Sequence, residues 1–174
     1  MIQNISIICL NRDYAKQVAA VLAERLDMQW MDVFDLVMFD NKPRTFAEFL
    51  KLRGQDGYRR HELSALKYAS SFTNSIIVCE AGCVEVPVNL DTLCENSLIL
   101  YLHFPVKKIM EGLETKTFSS DEEKAFFVKD KKVFDLRVGL AKQNANIVIN
   151  CSQKTPIVAA SHAIRQLKEF AKNL

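Results

Sequence analysis

Short apolar runs rich in β-branched residues alternate along this chain with stretches of helical period, and that alternation closes off most folds. Ile5 to Leu10 reads as a fully buried strand. From Tyr14 to Leu26 the apolar residues Ala15, Val18, Ala19, Leu22 and Leu26 recur at the spacing of one helix face. Further strands are expected over Gln29–Phe34, Ser75–Cys79, Ser97–Phe104 and Asn146–Asn150. Thr45 is placed to cap a helix over Phe46–Leu52, with Glu48 completing a capping box and Gly54 marking the end. Helical spacing returns over Tyr58–Ser70, in a short turn at Leu90–Cys94, from Pro105 through Leu113, over Phe134–Lys142 and over Pro156–Phe170. Such alternation predicts βαβ units and a three-layer α/β/α domain with a parallel sheet covered on both faces. Ligands of these sheets lie beyond the carboxyl ends of the strands. The segments 10–15, 33–36, 80–84 and 114–132 are therefore where a site is expected.

The 174 residues fit one domain. At that size about 70% of the unfolded surface can be buried, so no disulfide or metal staple is needed. A net charge of +2 gives no electrostatic footprint for nucleic acid or a membrane surface. Five cysteines, Cys9, Cys79, Cys83, Cys94 and Cys151, make an odd set without a C-x-x-C pair, which fits a reducing compartment. With no secretory signal and no apolar run long enough for a span, the chain reads as cytoplasmic. His61, His103 and His162 are too scattered for a metal site, and no metal ligands are assigned. The stretch from Glu114 to Lys132 carries 10 Asp, Glu and Lys residues and is expected to be a mobile, solvated lid region.

Glycine is scarce: 5 residues in 174, against a typical usage of roughly 7%, and the first is Gly54. Any glycine-rich loop in the first 53 residues is excluded.

Five segments, in order, resemble the shikimate kinases, members of the P-loop nucleoside-monophosphate-kinase-like fold. They are strand Ile5–Cys9 with the helix ending L-A-E-R-L-D-M-Q-W-M-D; T-F-A-E-F-L-K-L-R-G-Q-D-G-Y-R-R-H-E over Thr45–Glu62; I-I-V-C-E-A-G-C-V; L-I-L-Y-L-H-F-P-V-K-K-I; and L-R-V-G-L-A-K-Q-N-A-N-I-V-I-N. The second and fifth are the most specific. The resemblance implies ATP-dependent phosphorylation of shikimate with Mg²⁺. It assigns Arg59 and Arg137 to the substrate carboxylate, a task that suits the bidentate guanidinium. Glu62, three residues after Arg59, shares its helix face and is placed to orient it. Gly82 keeps the last glycine of the family's three-glycine turn, with Glu80 and Ala81 in place of the others. A carboxylate at position 80 is expected to repel that of a substrate. The catalytic Asp falls on Asp35 when counted back from Arg59, and on Phe34 when counted from the preceding helix.

The nucleotide half departs from the pattern. Where the family carries G-x-x-x-x-G-K-[ST], this chain reads Cys-Leu-Asn-Arg-Asp-Tyr-Ala-Lys-Gln from Cys9. A phosphate loop needs glycines, because several residues take positive φ for consecutive N–H groups to converge on phosphate. Its hydroxyl supplies an oxygen to Mg²⁺. Neither is present here, and Asp13 adds a negative charge. Arg12, Lys16 (at the loop lysine or one past it) and Lys116, in the lid, are the remaining candidate nucleotide contacts. Each candidate has a plainer reading: surface arginines for Arg59 and Arg137, a helix cap for Asp35, a solvated lysine for Lys16. The leading expectation is a homologue with lost or greatly weakened kinase activity that still holds a shikimate-like hydroxy-carboxylate, with ATP and Mg²⁺ as cofactors only if active. The alternatives are an active kinase whose loop is rebuilt around Arg12 and Lys16, and a non-enzymatic regulatory or partner protein.

Overall fold

The computed structural model describes residues 4–172. Among the described residues five strands, β1 (Asn4–Cys9), β2 (Gln29–Asp32), β3 (Ser75–Glu80), β4 (Ser97–His103) and β5 (Ile147–Asn150), pair in parallel in the order β2-β3-β1-β4-β5. Eight helices connect and flank them: α1 (Arg12–Leu26), α2 (Val33–Asn41), α3 (Phe46–Ser70), α4 (Pro87–Asn96), α5 (Val106–Glu114), α6 (Asp121–Phe127), α7 (Lys131–Asn144) and α8 (Pro156–Lys172). This is the expected three-layer architecture.

The central strands β1 and β3 are buried along their whole length, which is why apolar residues occupy both faces of each rather than alternating with exposed polar ones. Successive side chains still face opposite layers. Ile5, Ile7, Ile76, Val78, Leu98 and Leu100 pack against α1 and α8, whose buried faces are largely alanine. Ile8, Ile77, Cys79, Ile99 and Tyr101 face the layer of α2, α3, α4 and α6. Cys79 and Cys83 are both fully buried there, in keeping with a packing role. Among the described residues, no helix is long and apolar enough to cross a membrane.

Three local readings are corrected. The second strand stops at Asp32 rather than Phe34, because the Asp32 carboxylate accepts from the N–H groups of Phe34 and Asp35 and starts α2. The capping role offered for Asp35 thus belongs to Asp32. Gly54, at φ 66° and ψ 179°, is non-helical and ends the first helical stretch as expected; the second stretch resumes directly after it, so the two form one kinked span, α3. The turn expected at Leu90–Cys94 is the centre of a full helix, α4, opened by Pro87. The charged segment 114–132 contains α6, capped by the Ser120 hydroxyl on the Glu123 N–H and anchored by the buried Phe126.

Candidate functional site

At the carboxyl edge of the sheet a cavity of about 240 Å³ is lined by Cys9, Arg12, Asp13, Glu80, Lys108, Lys116 and Phe127, among others. Three of the four expected segments therefore meet there. The fourth joins through Asp35, which bonds Arg12.

The β1–α1 connection consists of Leu10 and Asn11 alone. Asn11 caps the helix, its side-chain oxygen accepting from the Tyr14 N–H at 3.1 Å, and its own N–H points at Cys9 Sγ. Arg12, the first residue of α1, turns toward β2 and α2. Its Nε lies 2.9 Å from Asp32 Oδ2, a terminal nitrogen 2.5 Å from Asp35 Oδ1, and its guanidinium 4.1 Å over the Phe34 ring. Lys16 Nζ lies 2.5 Å from Asp35 Oδ2 and 3.9 Å from Asp32 Oδ2. Two cations are thereby matched to two carboxylates. Burial raises the Asp32 carboxyl above its usual range, with Arg12 pulling it back down. Of the two positions for the aspartate, Asp35 reaches Arg12 and Lys16, while the Phe34 ring packs on Phe46 and Tyr58. Lys116 sits 5.2 Å over Phe127, at the rim of the same cavity.

A second cluster lies where α3, α7 and the turn after β3 converge. Arg59, on α3 just past the kink, places one terminal nitrogen 2.9 Å and 3.0 Å from the two Glu62 oxygens and 3.0 Å from Glu80 Oε2. Glu80 Oε2 also accepts from the Gly82 N–H at 2.9 Å, and Glu80 Oε1 lies 3.6 Å from a terminal nitrogen of Arg137. Arg137 is 4% exposed in its side chain and bonds Glu85 through Nε. Glu62 is fully buried and takes a further bond from Asn89. Burial pushes its carboxyl up to about 7 against the pull of Arg59. The Arg59 guanidinium is raised: burial opposes its charge, but Glu80 and Glu62 more than compensate.

Gly82 leaves room for the Arg59–Glu80 pair in its present geometry. A methyl group added there would stand 1.9 Å from an Arg59 nitrogen.

The sequence singled out Arg59, Glu62, Gly82 and Arg137, and they lie together in this cluster. Arg12, Lys16 and Asp35 form the other group, joined by Asp32. Asp32, Glu85 and Asn89 were missed. Only Asp32 carried a usable signal, an acidic residue ending a strand ahead of an apolar helix.

The shikimate kinase family profile matches residues 16–168, beginning beyond the β1–α1 connection. A shikimate kinase of Clostridium botulinum is 25% identical over 97 residues, spanning 56% of this chain and 58% of that protein. A Caldicellulosiruptor bescii shikimate kinase is 25% identical over 150 residues, 84% of this chain and 85% of that one. Among solved structures, the shikimate kinase of Acinetobacter baumannii in complex with shikimate superposes with a TM-score of 0.81 at 16% identity, covering 97% of this chain and 94% of its own.

Proposed function

The chain belongs to the shikimate kinase family, and from that premise we propose a member whose phosphoryl transfer is lost or greatly weakened and whose acceptor clamp is kept. The observation that carries this reading is the two-residue, glycine-free turn between β1 and α1. A phosphate cradle is made of consecutive N–H groups on a loop that wraps the anion. Here the strand passes almost directly into a helix whose N-terminus is closed by its own asparagine cap.

ATP with Mg²⁺ does not fit the residues at this place. Arg12 and Lys16 are already neutralised by Asp32 and Asp35, Asp13 lies in the first helical turn, and no hydroxyl stands where the family's Ser or Thr would hold the metal. Catalysis of phosphoryl transfer is nearly all positioning and charge stabilisation of the phosphates, so losing those groups removes most of it. The same pairing weighs against a loop rebuilt around Arg12 and Lys16.

The acceptor half supports a different outcome. Arg59 and Arg137 come from separate helices yet address one carboxylate, with the Gly82 N–H beside it. That is the recognition set for a small hydroxy-carboxylate of the shikimate kind, and the Acinetobacter baumannii relative was solved with shikimate bound. The segment 114–132 is the proposed lid. A cytoplasmic setting fits the exposed free thiol of Cys94.

Incubating the full chain with shikimate, ATP and Mg²⁺ and following ADP release tests the reading. The expected rate is that of the control without shikimate. Turnover in the range common for kinases, about 1–100 s⁻¹, overturns it.

A further inference from the structure

Two guanidinium groups and a backbone N–H converge on one point of the acceptor cleft, and the group at that point belongs to the chain itself. Glu80 Oε2 takes Arg59 and Gly82, while Glu80 Oε1 faces Arg137. Each oxygen thus faces a different arginine, as a ligand carboxylate held between two guanidiniums would have it. We propose that Glu80 is a built-in occupant of the carboxylate clamp, so that a carboxylate ligand binds this protein only by displacing it. The inference rests on the reading of Arg59 and Arg137 as an acceptor clamp.

Three observations support it. Glu80 ends β3 in an extended conformation and caps the turn that follows, so its side chain is held in place by the backbone rather than by chance packing. Glu80 also lines the cavity at the sheet edge, which neither arginine does, so residue 80 stands between open space and the arginines. The cluster sets the carboxyl groups of Glu62, Glu80 and Glu85 against Arg59, Arg137 and the neighbouring Lys129. Both arginines are thus already met by acceptor oxygens of the chain itself. An incoming carboxylate and Glu80 compete for the same donors, and both cannot be served. Shortening residue 80 frees the Gly82 N–H and opens the side of Arg59 and Arg137 that faces it, while Glu62 still holds Arg59 and Glu85 still holds Arg137.

The test is calorimetric titration of shikimate into the full chain, with no nucleotide present. Glu80→Ala is expected to bind shikimate about 10- to 100-fold more tightly than the wild type, the gain of one charge-assisted hydrogen bond. Methyl shikimate, which lacks the ionised carboxylate, is expected to gain nothing. Glu80→Gln keeps the turn's cap and removes the charge, so it is expected to gain less. It decides the matter if the alanine variant does not fold. Equal shikimate affinity in wild type and the folded variants overturns the proposal, as does an equal gain for the methyl ester. The double variant Arg59→Ala/Glu80→Ala separates the two readings. Loss of the gain there supports both the clamp and its occupant, whereas a gain that persists without Arg59 overturns the clamp itself. A wild type that already binds shikimate through Arg59, with no gain on removing Glu80, leaves the clamp standing and overturns the occupant alone.

Discussion

Arg12 Nε and Asp32 Oδ2 lie 2.9 Å apart, tying the first residue of α1 to the last residue of β2. Asp32 has a side chain only 1% exposed and serves two ends at once, capping α2 while holding the cation that opens α1. Breaking a buried pair costs more than a surface pair contributes, because the remaining charge is left without a partner.

Replacing Asp32 with Ala removes a helix cap and the buried half of that pair. We expect a loss of about 3 kcal/mol, read as a fall in the urea midpoint at unchanged slope. A loss below about 1 kcal/mol would show that the network around Arg12 and Lys16 holds nothing together.

Two glycines are expected to respond in opposite directions. Gly54, at φ 66° and ψ 179°, occupies a region open essentially to glycine alone, so Gly54→Ala is expected to cost about 1–3 kcal/mol. Gly139 lies exposed inside α7 with nothing near an added methyl group, so Gly139→Ala is expected to stabilise by about 0.5–1 kcal/mol. Thermal unfolding of the two variants beside the wild type checks both signs. A stabilising Gly54→Ala would contradict the kinked geometry of α3.

Glu62 makes stability depend on pH. Arg59, Asn89, Glu80 and Arg137 surround it, and burial raises its carboxyl to about 7 from an ordinary 4.5. A raised carboxyl binds its proton more tightly in the folded chain. Its contribution is therefore full below about pH 4.5 and is lost as the pH climbs through 7, by up to about 3 kcal/mol. Denaturant titrations of wild type and Glu62→Gln across pH 4 to 8 isolate it. The wild type is expected to lose stability relative to the variant as the pH rises, and a flat or rising difference would be inconsistent with this.

The layered architecture was legible because β1 and β3 carry short β-branched apolar runs (Ile5, Ile7 and Ile8; Ile76, Ile77 and Val78) and α1 and α8 keep a strict helical period. Helix α2 was not. Val33, Phe34, Leu36, Val37, Met38 and Phe39 put apolar groups all round it, though only Val33 and Val37 are buried, so no amphipathic stripe marks it. Helix α6 was hidden by its charges, since one fully buried residue, Phe126, anchors it. At the site, Arg59, Glu62, Gly82 and Arg137 could be carried over from the family's motifs. Glu85 and Asn89 could not, because each matters only through a partner brought in from a distant helix. Glu80 was legible as a repulsive charge. Its pairing with both arginines depends on how three separate elements meet.

Whether the end of β1 can hold a nucleotide decides between a lost and a working phosphate site. Calorimetric titration of ATP with Mg²⁺ into the full chain asks this without requiring turnover. No saturable heat is expected at nucleotide concentrations up to about 1 mM, where even a weak kinase site would fill. Saturable binding in the micromolar range, lost in Lys16→Ala, would contradict the account and restore an active phosphate site built from Arg12 and Lys16.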